Sequence, residues 1–412
     1  MRSKFLVCIA GFFLFQVVCA GQAYPLSGQY KPQYARFDQQ LIHMLKTWHI
    51  PGATVAVIKG HYLSYLRGFG WADVAAHKPM QPDSMFRIAS VSKTITATAI
   101  LRLAQQGKLH LQDSVYRLLG LRPLPGRSVN QRVYGITVAD LLHMSSGWAH
   151  WFDPMFGPWP DHYVKQLGQQ PPVSCTTAAR FMLSQPLVYR PGTQFHYANI
   201  NYCLLGLLVG KLGSGQASQV GYVHYVYENL LRPIGIHGVY IANTRLGQQP
   251  VGEVHYYPTQ PVRHHYPANR DMHVLWDLPY GHDQILQKNF ANGGWVANAF
   301  DLAKFFNRLQ RGQLINWHWL DVMTRMPHGY RYTLGRRLSY LPYHYGMGWF
   351  LIRDGRRTIW YTHGSFTGSN AFVMRLPNGT IDVALFNQKP SSYAQVTVFR
   401  HQLMHVFLKY AD

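Results

Sequence analysis

Strand-forming and helix-forming segments are unevenly spread along this chain, and that distribution limits the folds open to it. Thr54–Ile58 and Tyr62–Phe69 are β-rich runs, and Lys59-Gly60-His61 between them predicts a hairpin. Comparable runs return only at 346–352, 358–362, 369–375 and 380–387, before a last helix over 393–410. Phe37, Leu41, Met44, Leu45 and Trp48 recur at helical spacing, predicting a helix over 33–49 that Pro51-Gly52 ends. Ile95, Ala99, Ile100 and Leu103 predict a second over 90–107, with Gly107 as its stop. The middle, to about 290, mixes helical stretches with long connections at 122–135, 151–173 and 247–283. Strands at both ends and helices between predict an α/β (α+β) chain with one sheet built from both termini around a mostly helical insertion. The sheet part covers about 24–88 and 295–412, the helical part about 89–294. With 412 residues, 47% of them hydrophobic, the chain can bury a large core, and it carries no repeat or low-complexity tract.

Arg2 and Lys4 precede an apolar run from Phe5 to Val18 and small residues at Ala20, Gly21 and Ala23, the order of a signal peptide over 1–23. Cleavage after Ala20 and after Ala23 read equally well. The run is shorter than the roughly 20 apolar residues a spanning helix needs, so the expectation is an exported protein, periplasmic or secreted, with no transmembrane segment. Cys8 and Cys19 fall in that segment. Cys175 and Cys203 remain, either bridged or as two separately buried thiols.

Lys plus Arg number 39 against 17 Asp plus Glu, a formal charge of +22. The excess reflects missing acids more than basic tracts, since Glu228 and Glu253 are the only glutamates. Charge alone names no partner, although an exported cation of this size would meet anionic cell-envelope polymers. No nucleic-acid motif is present. The 22 histidines, His264-His265 among them, lack the His-Glu-x-x-His and Cys-x-x-Cys spacings of metal sites, so neither metal nor cofactor is expected.

Ser90 opens the second helix and Lys93 lies three residues on, on the same face. A serine hydroxyl needs a neighbouring base to become a nucleophile, and a desolvated lysine can supply one. The helix N-terminus adds positive potential for a developing oxyanion. Alone, the pair reads more readily as a capping serine beside a solvated lysine. Two further elements follow in order. Pro191-Gly-Thr-Gln-Phe-His-Tyr197-Ala-Asn199 leads through Tyr-x-Asn into an apolar helix, and Trp360-Tyr-Thr-His363-Gly-Ser-Phe-Thr-Gly368 joins a strand-like run to a Gly-rich turn.

This ordered set resembles the serine β-lactamase and penicillin-binding-protein superfamily, particularly its class C-like branch of D,D-carboxypeptidases, esterases and peptidases. Gly107–Asp113, Leu141–Gly147, Gly293–Phe305, Tyr345–Trp349 and Asn387 extend the resemblance over nearly the whole chain. It implies a β-lactamase/transpeptidase-like fold with an antiparallel sheet flanked by helices from both chain ends. It also implies that Ser90 is the acylated nucleophile, Lys93 its proton-transfer partner, and Tyr197 the phenolic acid/base. Asn199 would hydrogen-bond the substrate amide, and His363 would stand where many members carry the lysine of Lys-Thr-Gly. The oxyanion would lie between the N–H groups of Ser90 and Phe366.

Two positions depart from the pattern. A histidine at 363 changes charge between about pH 5 and 8, so it should hold a substrate carboxylate less firmly than lysine does. Ser365 replaces the third-motif glycine and would crowd or hydrogen-bond the strand that substrates pair with. Neither glutamate lies where class A β-lactamases place theirs, which excludes that class. The expected reaction is hydrolysis of an ester or amide, in a small molecule or peptide, through a Ser90 acyl-enzyme. The alternatives are a D,D-peptidase acting on peptidoglycan peptides, a class C-like β-lactamase, and a non-enzymatic envelope-binding protein with a degenerate third motif. Trp148, Trp151, Phe152, Phe156 and Trp159 read as a hydrophobic wall of the acyl pocket or as a loop packed on its own domain.

Overall fold

The computed structural model describes residues 24–149, 151, 153–155, 173–243, 248–259, 286–325, 343–354 and 357–411. The expected signal segment, Phe152, Phe156, Trp159 and His264-His265 lie outside them.

The strands at both ends join one sheet. Its order is β1 (Leu26–Ser27), β3 (Tyr62–Asp73), β2 (Gly52–Lys59), β12 (Ile381–Phe386), β11 (Ser369–Arg375), β10 (Arg357–Phe366), β9 (Phe350–Asp354) and β8 (Tyr343–Tyr345), with β4 (Lys78–Pro79) beside β3. Every pairing is antiparallel. The β2–β3 hairpin turns at Gly60-His61, where Gly60 has φ +59°, a left-handed conformation that costs glycine little.

The sheet is covered on both faces, and the period-2 alternation of strands divides its residues accordingly. Val55, Val57, Phe372, Met374, Ala384 and Phe386 face one core, under α1 (Ala35–Thr47) and the last helix, α10 (Tyr393–Tyr410). In that layer the fully buried Phe37 packs at a 5.4 Å centroid distance on Phe407. Burying a phenylalanine fully contributes about 1.5–3 kcal/mol. Ala56, Ile58, Ala371, Val373, Val383 and Leu385 face the larger core. There the sheet meets α2 (Ser92–Gln105), α8 (Ala299–Gln310) and the helices of the insertion: α3 (Val115–Leu119), α4 (Val138–Leu142), α5 (Cys175–Met182), α6 (Asn199–Ser214) and α7 (Gln219–Val226). α9 (Trp317–Thr324) packs near the end of α2.

α6 is buried nearly all round, as its run of Ile, Leu, Val and Gly requires. A Cys175–Cys203 disulfide joins it to α5, which resolves the two readings of that pair.

Two elements differ from the sequence expectation. A second, three-stranded sheet of β5 (Phe86–Arg87), β7 (Trp295–Ala297) and β6 (Tyr240–Ile241) joins three segments that are not among the expected strand runs, and β6 falls in the part expected to be helical. Pieces of two or three residues carry no readable period, and their pairing is set by tertiary contact. The second helix also begins differently. Ser90 lies in a 3₁₀ turn, Ala89–Val91, and the α-helix starts at Ser92.

Candidate active site

The site lies where α2, the N-terminus of α6 and strand β10 converge. Ser90 and Tyr197 keep part of their surface open, whereas Lys93 is 1% exposed. The i, i+3 spacing brings Lys93 Nζ to 3.0 Å from Ser90 Oγ. The other two contacts of the amine go to Asn199 Oδ1 and to the backbone carbonyl of Asn292, each at 2.7 Å. Tyr197 donates its phenolic hydrogen to Ser90 Oγ at 2.8 Å, and its ring lies 4.9 Å from Lys93 Nζ. Ser90, Lys93, Tyr197 and Asn199 are thus brought together from segments over a hundred residues apart.

Burial sets the charge states. Desolvation lowers the Lys93 pKa to about 7, against a smaller opposing pull from Asp153. About half of the amine is therefore neutral at neutral pH. A neutral amine has two hydrogens and one lone pair. Asn199 Oδ1 and the Asn292 carbonyl can only accept, so they take the hydrogens and the lone pair faces the Ser90 hydroxyl. Tyr197 goes the other way. Desolvation raises its pKa well above the usual phenol range, so it remains a proton donor.

Asn199 stands differently from the expected substrate contact. Its Oδ1 is taken by Lys93, and its Nδ2 donates to Asp153 Oδ2 at 3.0 Å. One amide hydrogen remains for any other partner.

His363 sits on β10 opposite Phe372 of β11. Its ring stacks on Phe350 at 5.3 Å with 5° between the planes, and Tyr361 lies beyond at 6.2 Å. Desolvation, then the charges of Arg400 on α10 and of Lys93, push its pKa well below the ordinary 6.5. The expected change of charge between pH 5 and 8 is thereby moved downward, and the imidazole is neutral where Lys93 is half-deprotonated.

The third-motif backbone also differs from expectation. The residue pressed against the nucleophile is Gly364. A β-carbon there would stand 2.1 Å from the Ile88 carbonyl oxygen and 2.7 Å from the Ser90 nitrogen. Ser365 is the next residue along, on the strand face that also carries His363, so its side chain does not occupy the Gly364 contact. Phe366 follows on the Gly364 face. Its ring is buried with Ala89 and Val296 in a small cluster and fixes Gly293, where a β-carbon would meet Phe366 Cζ at 2.8 Å.

The turn that presents Ser90 is itself unusual. Ala89 has φ +44°, a left-handed conformation costing a residue with a β-carbon about 1–2 kcal/mol. Of the aromatic loop, Trp148 is buried edge-on against Tyr116, while Trp151 is 48% exposed beside His196. Asp153, Asn292 and Arg400 complete the surroundings of the site and carry no motif by which the sequence singles them out. Among the described residues no cluster of three or more His, Cys, Asp or Glu is placed to hold a metal ion.

A mixed α/β architecture with an antiparallel sheet flanked by helices, and with these side chains beside it, defines the class of β-lactamase/transpeptidase-like proteins. The family model for Beta-lactamase matches residues 37–402, and the chain belongs to that family, whose members are serine hydrolases.

Among curated relatives, the chain is 29% identical over 199 residues to protein flp of Staphylococcus aureus, covering 48% of this chain and 36% of that protein. It thus spans little more than a third of that relative's length. It is 23% identical over 342 residues to penicillin-binding protein 4* of Bacillus subtilis, covering 82% of this chain and 68% of that one. Similar solved structures include the octameric penicillin-binding protein homologue from Pyrococcus abyssi, with TM-score 0.66, 21% identity, and coverage of 90% of this chain and 77% of that one. The D-amino acid amidase from Ochrobactrum anthropi SV3 in complex with D-phenylalanine has TM-score 0.68, 19% identity, and coverage of 91% and 98%.

Proposed function

We propose that this protein hydrolyses an ester or amide bond through a Ser90 acyl-enzyme, on a substrate whose recognition does not depend on a free carboxylate. The observation that carries the reading is the placement of Lys93, whose lone pair is left to Ser90 Oγ by two obligate acceptors. Lys93 takes the hydroxyl proton as Oγ attacks the carbonyl carbon. The oxyanion formed is received by the N–H groups of Ser90 and Phe366. Tyr197 gives its phenolic proton to the leaving oxygen or nitrogen as that bond breaks, and Lys93 returns a proton to Tyr197. Water then attacks the acyl carbon, its proton passes to Lys93, and Ser90 Oγ leaves reprotonated. Asn199 holds Lys93 and offers its remaining amide hydrogen to the substrate.

The neutral His363 supports the choice of substrate. A permanently charged lysine would anchor a carboxylate, whereas an uncharged imidazole stacked on Phe350 offers a hydrogen bond and an apolar surface. Small-molecule and peptide esters and amides fit that description better than penicillins or terminal D-Ala-D-Ala peptides. Similarity to a D-amino acid amidase supports amides within the set. The order of charged, apolar and small residues over 1–23 supports export to the periplasm or beyond. There the cationic surface would meet anionic envelope polymers.

A panel of p-nitrophenyl esters, D-amino acid amides, nitrocefin and D-Ala-D-Ala peptides tests the reading with wild type and Ser90→Ala. Turnover of the first two groups, lost in Ser90→Ala, is expected. Absence of turnover on the whole panel, together with no fluorophosphonate labelling of Ser90 from pH 5 to 8, would leave an envelope-binding protein instead.

A further inference from the structure

We infer that Asp153, on the loop that follows the Ser-Ser-Gly turn, is a positioning residue that sets the orientation of the general base through Asn199. The inference rests on the proposed acyl-enzyme reaction and adds a residue that the motifs do not contain. Asp153 is 4% exposed and accepts four hydrogen bonds. Oδ2 accepts from the backbone N–H of Asn199 at 2.5 Å and from its Nδ2 at 3.0 Å. Oδ1 accepts from the N–H groups of Ile200 at 3.2 Å and Met155 at 3.1 Å. Burial raises the pKa of this carboxyl, and the hydrogen bonds oppose that shift; all four partners are donors, so the ionised carboxylate is the form that satisfies them.

The consequence for Asn199 is orientational. An asparagine amide can turn by 180°, exchanging its oxygen and nitrogen. Turned round, it would point Oδ1 at the Asp153 carboxylate and its hydrogens at Lys93 Nζ, opposing like groups at both ends. The carboxylate therefore holds Nδ2 on its own side and Oδ1 toward Lys93. Oδ1 in turn claims a hydrogen of the amine and leaves the lone pair to Ser90. With the amide reversed, Lys93 would direct its lone pair at Asn199 and a hydrogen at Ser90 Oγ, and the base would be lost.

Asp153 also caps α6. The N-cap position, Ala198, has no side chain able to satisfy the first helical N–H groups, and Asp153 supplies acceptors to those of Asn199 and Ile200 from a distant loop. Capping alone predicts a less stable protein with unchanged site chemistry. Positioning predicts a change in the protonation of Lys93, because the carboxylate is also the acidic group whose charge reaches that amine. The other titratable groups around Lys93 are Tyr197, which remains protonated, Tyr202, whose ring lies 5.9 Å from Nζ and whose hydroxyl donates to the Leu142 carbonyl, and His363, which remains neutral, with Arg400 behind it.

The test is the pH dependence of fluorophosphonate labelling and of ester kcat/KM in wild type and Asp153→Asn, both checked for folding by thermal melting. Loss of the negative charge lowers the Lys93 pKa, so the acid limb should move down by about half a pH unit or more. The disordered amide should cut the plateau kcat by about tenfold, with KM within about threefold. An acid limb within about 0.2 units of wild type, with a rate loss that follows the fall in melting temperature, would overturn the inference in favour of a cap. Asp153→Ser, smaller and uncharged, is the second variant and carries the same expectation. If neither variant accumulates folded, the cap accounts for the residue and the inference fails. Labelling that persists in Ser90→Ala would instead refute the acyl-enzyme reading itself.

Discussion

The backbone nitrogen of Ser90 stands 2.7 Å from the point that a β-carbon on Gly364 would occupy. The third-motif strand and the nucleophile turn are therefore in backbone contact, and the obstructing atoms in Gly364→Ala would be main-chain atoms of Ile88 and Ser90. Main chain cannot rotate aside as a side chain can. Gly364→Ala should displace the turn by about 1 Å, as the 2.1 Å approach to the Ile88 oxygen requires, and reduce kcat/KM by about a hundredfold. Labelling rates on folded protein check it, and a loss under threefold would show that the strand can retreat.

The acid limb of the rate profile belongs to Lys93. Its neutral form is the competent base and its pKa is about 7, so kcat/KM should be low at pH 5, rise through 7 and level above 8. Tyr197, raised by burial, should contribute no falling limb up to pH 10, where an ordinary tyrosine is half-ionised. A bell centred near pH 6, or a decline from pH 9, would assign the proton work differently.

Replacing His363 by lysine tests the substrate argument. His363→Lys adds a fixed charge where a neutral ring now stacks on Phe350. The ratio of kcat/KM for a carboxylate-bearing substrate to that for a neutral ester should increase by about tenfold or more, since tenfold is about 1.4 kcal/mol and a hydrogen bond to a charged group contributes about 1.5–3 kcal/mol. An unchanged ratio would mean that recognition is independent of position 363.

In the proposed reaction the phenol of Tyr197, 2.8 Å from Ser90 Oγ, delivers the proton to the leaving group. Tyr197→Phe keeps the ring against Tyr345 and removes the hydroxyl, and should lower kcat by 10²–10⁴ on amides, as loss of a general acid does. Nitrophenolate leaves without a proton, so p-nitrophenyl esters should lose less. Equal losses on both would argue against the leaving-group role.

The Cys175–Cys203 bridge closes a loop with a sequence separation of 28 residues. On the chain-entropy model that is worth about 3–4 kcal/mol. The Cys175→Ala, Cys203→Ala double variant should unfold at correspondingly lower denaturant, while added reductant should leave its midpoint unmoved. A variant as stable as wild type would mean that α5 and α6 are held by packing alone.

What the sequence made readable was whatever is periodic or closely spaced. The i, i+3 relation of Ser90 and Lys93, the Tyr197-x-Asn199 step into an apolar helix, and the alternating strands at the chain ends all express local geometry. What stayed hidden depends on contacts between distant segments. Asp153 is one of many aspartates and gains meaning only because its loop folds onto the start of α6. The neutrality of His363 comes from burial, where its ring stacks on Phe350 of a neighbouring strand, and then from the charges of Arg400 on the last helix and of Lys93. The small second sheet joins dipeptides and a tripeptide too short to carry a pattern.

The pairing of β2 with β12 places Ala53 opposite Phe386, roughly 330 residues later along the chain. Until β12 arrives, β2 has a single sheet neighbour, and the long separation makes closing that pairing slow. Through that interval the β2–β3 ribbon has an open edge, and its apolar residues lack the cover that the last strands and α10 provide. The sheet that positions Gly364 against Ser90 therefore closes only when strands from both parts of the chain have met. Until β12 and α10 cover it, the ribbon is a hazard for self-association rather than a foundation.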